Sequence, residues 1–245
     1  MIRGLLAAIS FLTIIPSRGH SLEYTARHMF LFPVVGAFIG LIVGLLAYSL
    51  DILFIENYTL LALIIVASLL FITGLHHTDA LADFADGVMA KGRESKLRAL
   101  RDPAIGSAGT IVLILYILAL IIVISSLNEL IIGLIVSESI AKYSMVLQAS
   151  LGRSAWEGMS TPFTTIMSIR ERRGKIRLLV STLLTISLVY PLSSYKGIYA
   201  MIASIITMLI MLLVAYKNFN GVSGDLFGAT NELTRLTSLT VLIYA

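Results

Sequence analysis

Six long apolar stretches, at 29–50, 58–75, 108–127, 130–151, 176–192 and 198–216, constrain this chain more than any other feature. Each is near the roughly 20 residues that a helix needs to cross a bilayer. A seventh, at 233–245, is shorter and amphipathic. The runs are continuously apolar, without the period-two alternation of a membrane barrel, so the expected fold is all-α. Only 13% of the 245 residues are charged, against roughly a quarter in soluble domains. So few polar groups cannot cover a water-facing surface. The chain therefore reads as one integral membrane domain, 1–245, a polytopic bundle of about six to seven transmembrane helices. The segment Gly4 to Ile15 would make a helix of roughly 18 Å, short of a ~30 Å hydrocarbon core. No small-x-small cleavage site follows it, only Pro16-Ser17-Arg18, so it reads as a retained interfacial or re-entrant helix.

Charge sorts the connections. Arg18 and Arg27 precede the first run, whereas Asp51 and Glu56 follow it without a basic residue. Lys91, Arg93, Lys96, Arg98 and Arg101 fill the next connection; Asn128 and Glu129 sit in the one after. Arg153, Arg170, Arg172, Arg173, Lys175 and Arg177 come next, then the turn with Lys196, then Lys217 and Arg235. By the positive-inside rule the basic connections face the cytoplasm, which explains a net charge of +4 without a nucleic-acid partner. The large cytoplasmic segments are then 76–107, 152–175 and 217–232, where chemistry is expected. Cysteine is absent, which excludes disulfides, thiolate zinc sites and a cysteine nucleophile.

Within the first of these segments, Asp79, Asp83 and Asp86 stand at i, i+4 and i+7, within an arc of about 60° on a helix. Three carboxylates so close to a low-dielectric bundle repel one another unless a cation neutralises them. Oxygen-only ligands favour magnesium or manganese. A solvated acidic face is the plainer alternative, but Leu81, Phe84, Ala85 and Val88 are too apolar for a freely solvated helix. His77, at the membrane exit, is a general base, a phosphate contact or a structural interfacial histidine. Asp102 opens a turn through Gly106, Ser107 and Gly109 into the next run, and small residues at a helix start leave N–H groups open for a phosphate. The island from Asn220 to Glu232 adds glycines, Asp225, Asn231 and Glu232 on the same side. Glu138 and Lys142 lie four apart within the fourth run, as functional candidates or as an intrahelical pair facing the bundle. Gly36, Gly40 and Gly44 read as close helix packing.

The run Gly74-Leu75-His76-His77-Thr78-Asp79-Ala80-Leu81-Ala82-Asp83-Phe84-Ala85-Asp86-Gly87 resembles the hallmark of the cobalamin synthase family, the adenosylcobinamide-GDP ribazoletransferases. Further similarity runs in order through Phe11 to Pro16, Phe32 to Gly36, Asp102 with Ile105-Gly106 and Gly109, and Gly224-Asp225 with Gly228-Ala229 and Glu232. Ala80 and Phe84 depart from the usual glycine and small polar residue. The resemblance implies transfer of adenosylcobinamide phosphate from adenosylcobinamide-GDP to α-ribazole or its 5′-phosphate, with release of GMP, in a multi-pass protein of a prokaryotic cell membrane. It implies catalytic work by His77 and Asp102, and magnesium (or manganese) on Asp79, Asp83 and Asp86. Substrate contacts would come from Arg93, Gly106, Ser107, Arg153, Asp225, Asn231 and Glu232. Whether the chain forms a homo-oligomer stays open. A CDP-alcohol phosphotransferase is the nearest enzymatic rival, but its Asp-Gly-x-x-Ala-Arg opening is missing. A secondary transporter would use Glu138 and Lys142, yet the acids gather at one face and not at the midplane.

Overall fold

The computed structural model describes residues 2–16, 20–53 and 57–244. Arg18 and Glu56, which entered the charge alternation, lie outside them, as does Ala245 at the end of the last apolar run. The described residues form helices α1 (Ile2–Leu12), α2 (Leu22–Arg27), α3 (Phe32–Leu53), α4 (Tyr58–Ile72), α5 (His76–Met89) and α6 (Arg93–Ala99). They continue as α7 (Ser107–Ser125), α8 (Leu130–Leu151), α9 (Ser160–Met167), α10 (Arg172–Phe219) and α11 (Gly224–Tyr244). The all-α expectation holds, as it must where backbone groups find no water and pair within their own helix.

Four helices among the described residues are long and apolar enough to cross a membrane, or five if α4 and α5, bent by 90°, count as one broken span. A count by helix length and composition alone comes out lower than six to seven for two physical reasons. The runs 176–192 and 198–216 merge in α10, whose 48 residues would reach about 72 Å, twice a bilayer. Ser194 (φ 52, ψ −136) breaks the helix. The Ser194 end shares a recess with Ile132 and Gly133 at the start of α8. Both outer ends return to the other end of α8: Ile169 N–H donates to Ser150 O at 3.1 Å, and Arg153 N–H to Tyr216 Oη at 2.9 Å. The two arms of α10 are therefore antiparallel. The second reason is α11. The run 233–245 is only its C-terminal part, and the helix starts inside the segment 217–232 expected as a loop. It lies against α5, α7, α8 and α10, and Leu226 to Glu232 are buried throughout.

The glycine stripe of α3 packs on α8 as expected. A Cβ at Gly36 would come within 2.2 Å of Glu138 O, and one at Gly40 within 2.4 Å of Leu134 O, so only glycine permits this approach. Basic residues gather at the end of the bundle where α8 terminates, whereas Lys196 sits beside Glu129 at the opposite end.

Candidate active site

The elbow after α4 sets up the site. Gly74 (φ 69) and Leu75 (φ 62) both adopt the left-handed region, which turns α5 by 90° from α4 across the end of the bundle. The apolar side of α5 then buries Ala80, Leu81 and Phe84. The two family departures are packing residues. Phe84 meets Phe219 of α10 with ring centroids 5.8 Å apart, and Ala80 marks the crossing with α11. A Cβ on Gly228 would stand 2.5 Å from the Ala80 methyl. With one face buried, the acidic face is left for the bundle's end.

The three aspartates of that face do not share one task. Asp86 Oδ2 accepts from Gly106 N–H at 2.7 Å and its Oδ1 from Gly109 N–H at 2.9 Å. The open helix start expected to bind a phosphate through Gly106 and Ser107 is thus capped by the chain's own carboxylate, and Asp86 is committed to that cap. Asp79 and Asp225 instead line a cavity of about 590 Å³. Asp83 lies close enough to both for its carboxyl to be pushed up to about 6, by burial first and then by Asp79, Asp225 and Asp86. Burial also raises Asp225. Among the described residues no three His, Cys, Asp or Glu side chains form a ready-made metal cage.

The cavity is lined from all three segments picked out in the sequence: His76, His77, Asp79 and Arg101 from the first, Trp156, Ser160 and Phe163 from the second, Asp225 and Phe227 from the third. The second and third are joined where Ala155 N–H donates to Val222 O at 2.9 Å and Val222 N–H to Arg153 O at 2.8 Å. Arg101 lies over the Trp156 ring at 5.0 Å. Other expected contacts lie elsewhere. Arg93 lines a separate basic recess with Lys96, Lys217 and Asn220. Arg153 lies over the Tyr216 ring at 5.7 Å and donates to Asn220 Oδ1 at 3.2 Å. Asp102 is exposed and accepts from Ala104 N–H at 3.0 Å, which makes it a turn residue in this structure.

Asn231 and Glu232 are fully buried, one layer behind the cavity wall. Glu232 pairs with Arg235, and Arg235 with Glu138, which also holds Lys142. Tyr116 of α7 donates to Glu232, and Asn231 Nδ2 to Glu232 Oε1 at 2.8 Å. Two acids and two bases balance in this network, which joins α7, α8 and α11 at the heart of the bundle. Arg235 had counted as a cytoplasmic anchor in the sequence; it is completely buried. Its spacing of three from Glu232, inside an apolar stretch, was the signal available. His77 bridges network and cavity. Its Nδ1 lies 3.7 Å from Glu232 Oε1 and has no hydrogen-bond partner among the described residues. Burial, then Lys142 and Arg235, hold the imidazole well below its usual range, so it is neutral at neutral pH.

The profile of the family described as cobalamin-5-phosphate synthase matches residues 4–243. The chain belongs to that family. Three similar proteins bear the name adenosylcobinamide-GDP ribazoletransferase. The one from Methanocella arvoryzae is 30% identical over 99% of this chain and 96% of its own length. That from Archaeoglobus fulgidus is 30% identical over 100% and 99%, and that from Prosthecochloris aestuarii 32% over 96% and 94%. No solved structure matches the chain.

Proposed function

We propose that this membrane protein transfers adenosylcobinamide phosphate from adenosylcobinamide-GDP to α-ribazole or its 5′-phosphate, forming adenosylcobalamin or its 5′-phosphate and GMP. What carries this reading is a single cavity that unites Asp79, Asp225, His77 and Arg101 in a chain of this family. A ribose hydroxyl oxygen forms the new bond to the cobinamide-side phosphorus. The P–O bond to GMP breaks, and GMP leaves with the bridging oxygen. The hydroxyl proton goes to His77 or to Asp225, both at the cavity wall. Arg101 holds phosphate oxygens by charge-assisted hydrogen bonds. The residues fit magnesium by the chemistry of the donor set: carboxylate oxygens alone, with Asp83 raised to about 6 by burial first and then by the neighbouring carboxylates. Asp79 and Asp83 would hold the ion. A magnesium ion bound with a pyrophosphate needs only one or two protein carboxylates, the substrate and water supplying the remaining ligands. When bound, it neutralises charge on the pyrophosphate and the departing GMP. The basic residues at this end of the bundle favour a cytoplasmic cavity mouth.

The test is GMP release from membranes containing the protein, given adenosylcobinamide-GDP, α-ribazole and magnesium. Release should disappear in Asp79→Asn and Asp83→Asn at unchanged protein levels. Turnover of a CDP-activated lipid instead, or movement of substrate across the membrane without GMP, would overturn the proposal.

A further inference from the structure

A second recess, of about 380 Å³, lies between the start of α6 and the end of α10 and shares no lining residue with the acid-lined cavity. Arg93, Lys96, Tyr216, Lys217, Asn218 and Asn220 line it: three cations, two amides and a phenol, without a carboxylate. Arg153 donates to Asn220 Oδ1 at 3.2 Å and brings a fourth positive charge to its edge. Among the described residues, none of these four basic side chains forms an ion pair. Lys96 ties α6 to both neighbours, since its Nζ donates to Val88 O of α5 at 3.1 Å and to Asn218 Oδ1 of α10. An ammonium group has three N–H donors, so one is left for a guest. Unpaired cations around one recess repel one another, and an anion placed among them removes the repulsion.

The surroundings of the recess select the anion. Along the second arm of α10, Tyr199, Ile202, Ile206, Ile210 and Leu213 are each 50–71% exposed. Their spacings of three or four place them on one helix face, which in a membrane meets acyl chains. Lys217 follows Leu213 by four residues, is also exposed, and ends this apolar stripe at the recess. Phe219, between two recess residues, turns inward instead and is buried against Phe84. An apolar stripe that runs into a basic recess matches the order of chains and headgroup in a lipid, and basic pockets between spanning helices hold anionic headgroups. We propose that the recess binds an anionic phospholipid, its phosphate among Arg93, Lys96 and Lys217 and its acyl chains along the outer stripe of α10. A soluble phosphate compound would meet the same cations but nothing of the stripe. The site is independent of the reaction proposed for the cavity and stands whatever chemistry occurs there.

The test offers the detergent-purified protein equal amounts of dioleoyl phosphatidylglycerol and dioleoyl phosphatidylcholine, which share acyl chains and phosphate but differ in net charge. Retained lipid is counted by native mass spectrometry. Phosphatidylglycerol should stay bound in preference to phosphatidylcholine, and the preference should shrink as salt is raised. Each basic residue near a membrane surface adds about fivefold to the affinity for an anionic lipid, so Arg93→Gln combined with Lys217→Gln should weaken phosphatidylglycerol binding roughly 25-fold. Both side chains are exposed, and the comparison of the two lipids on the unaltered protein stands if the double variant folds poorly. An excess of GMP or inorganic phosphate, neither of which carries acyl chains, should leave the lipid in place. Equal retention of the two lipids, or an affinity unchanged in the double variant, would overturn the proposal. So would displacement by GMP or inorganic phosphate, which would make the recess a site for soluble phosphate compounds.

Discussion

Replacing Asp86 by alanine separates a capping role from a metal-binding one. In the structure its two oxygens accept from Gly106 and Gly109 N–H, at 2.7 and 2.9 Å, at the start of α7. Hydrogen bonds to a charged group contribute about 1.5–3 kcal/mol each, and a carboxylate at a helix N-terminus a further ~0.3–1 kcal/mol. Asp86 is only half-buried, so the low end of each range applies, about 3 kcal/mol in all. For a chain of this size that lowers Tm by roughly 6–12 °C. Thermal unfolding in detergent, followed by circular dichroism, should show this loss in Asp86→Ala. Gly106→Ala should behave similarly, because its Cβ would come within 2.4 Å of Asp86 Oδ1. Asp79→Ala should keep its Tm and lose GMP release. If Asp86→Ala unfolded like the unaltered protein and instead needed far more magnesium for activity, the capping argument would be refuted and Asp86 would be a metal ligand.

Asp83 predicts a pH dependence. Its carboxyl is pushed up to about 6, so below that pH a proton competes with the cation for it. The apparent magnesium affinity should be flat above about pH 7 and fall with acidification below about pH 6, by up to tenfold per unit; Asp83→Asn should abolish this slope along with most of the affinity. Arg235→Met would strand buried Glu138 and Glu232 without their shared counter-charge. It should cost about 3–5 kcal/mol, and pairing it with Glu232→Gln should recover part of the lost Tm. Gly228→Val should force α5 off α11, since even a Cβ there would sit 2.5 Å from Ala80, and should reduce GMP release more than it reduces expression. A Tm and rate both unchanged would mean that α5 does not depend on that crossing.

Much of this protein was legible in its sequence because lipid is a simple solvent. Long apolar runs such as 108–127 and 130–151 must be helices, since no water is available to pair their backbone, and they match α7 and α8 nearly to the residue. The glycine stripe of α3 and the aspartates of α5 were readable from periodicity. Sequence spacing did not reveal which partner each side chain would meet. Asp79, Asp83 and Asp86 share a helical face, yet the 90° elbow at Gly74 and Leu75 turns Asp79 to the cavity and sends Asp86 to the start of α7. Hydropathy made 233–245 a marginal run, because it averages over positions and cannot see that Arg235 and Glu232 neutralise Glu138 and Lys142 on another helix. Local pattern fixes helices because their hydrogen bonds are local. The pairing of buried charges and the walls of the cavity arise between segments far apart in the chain, and tertiary packing alone decided them.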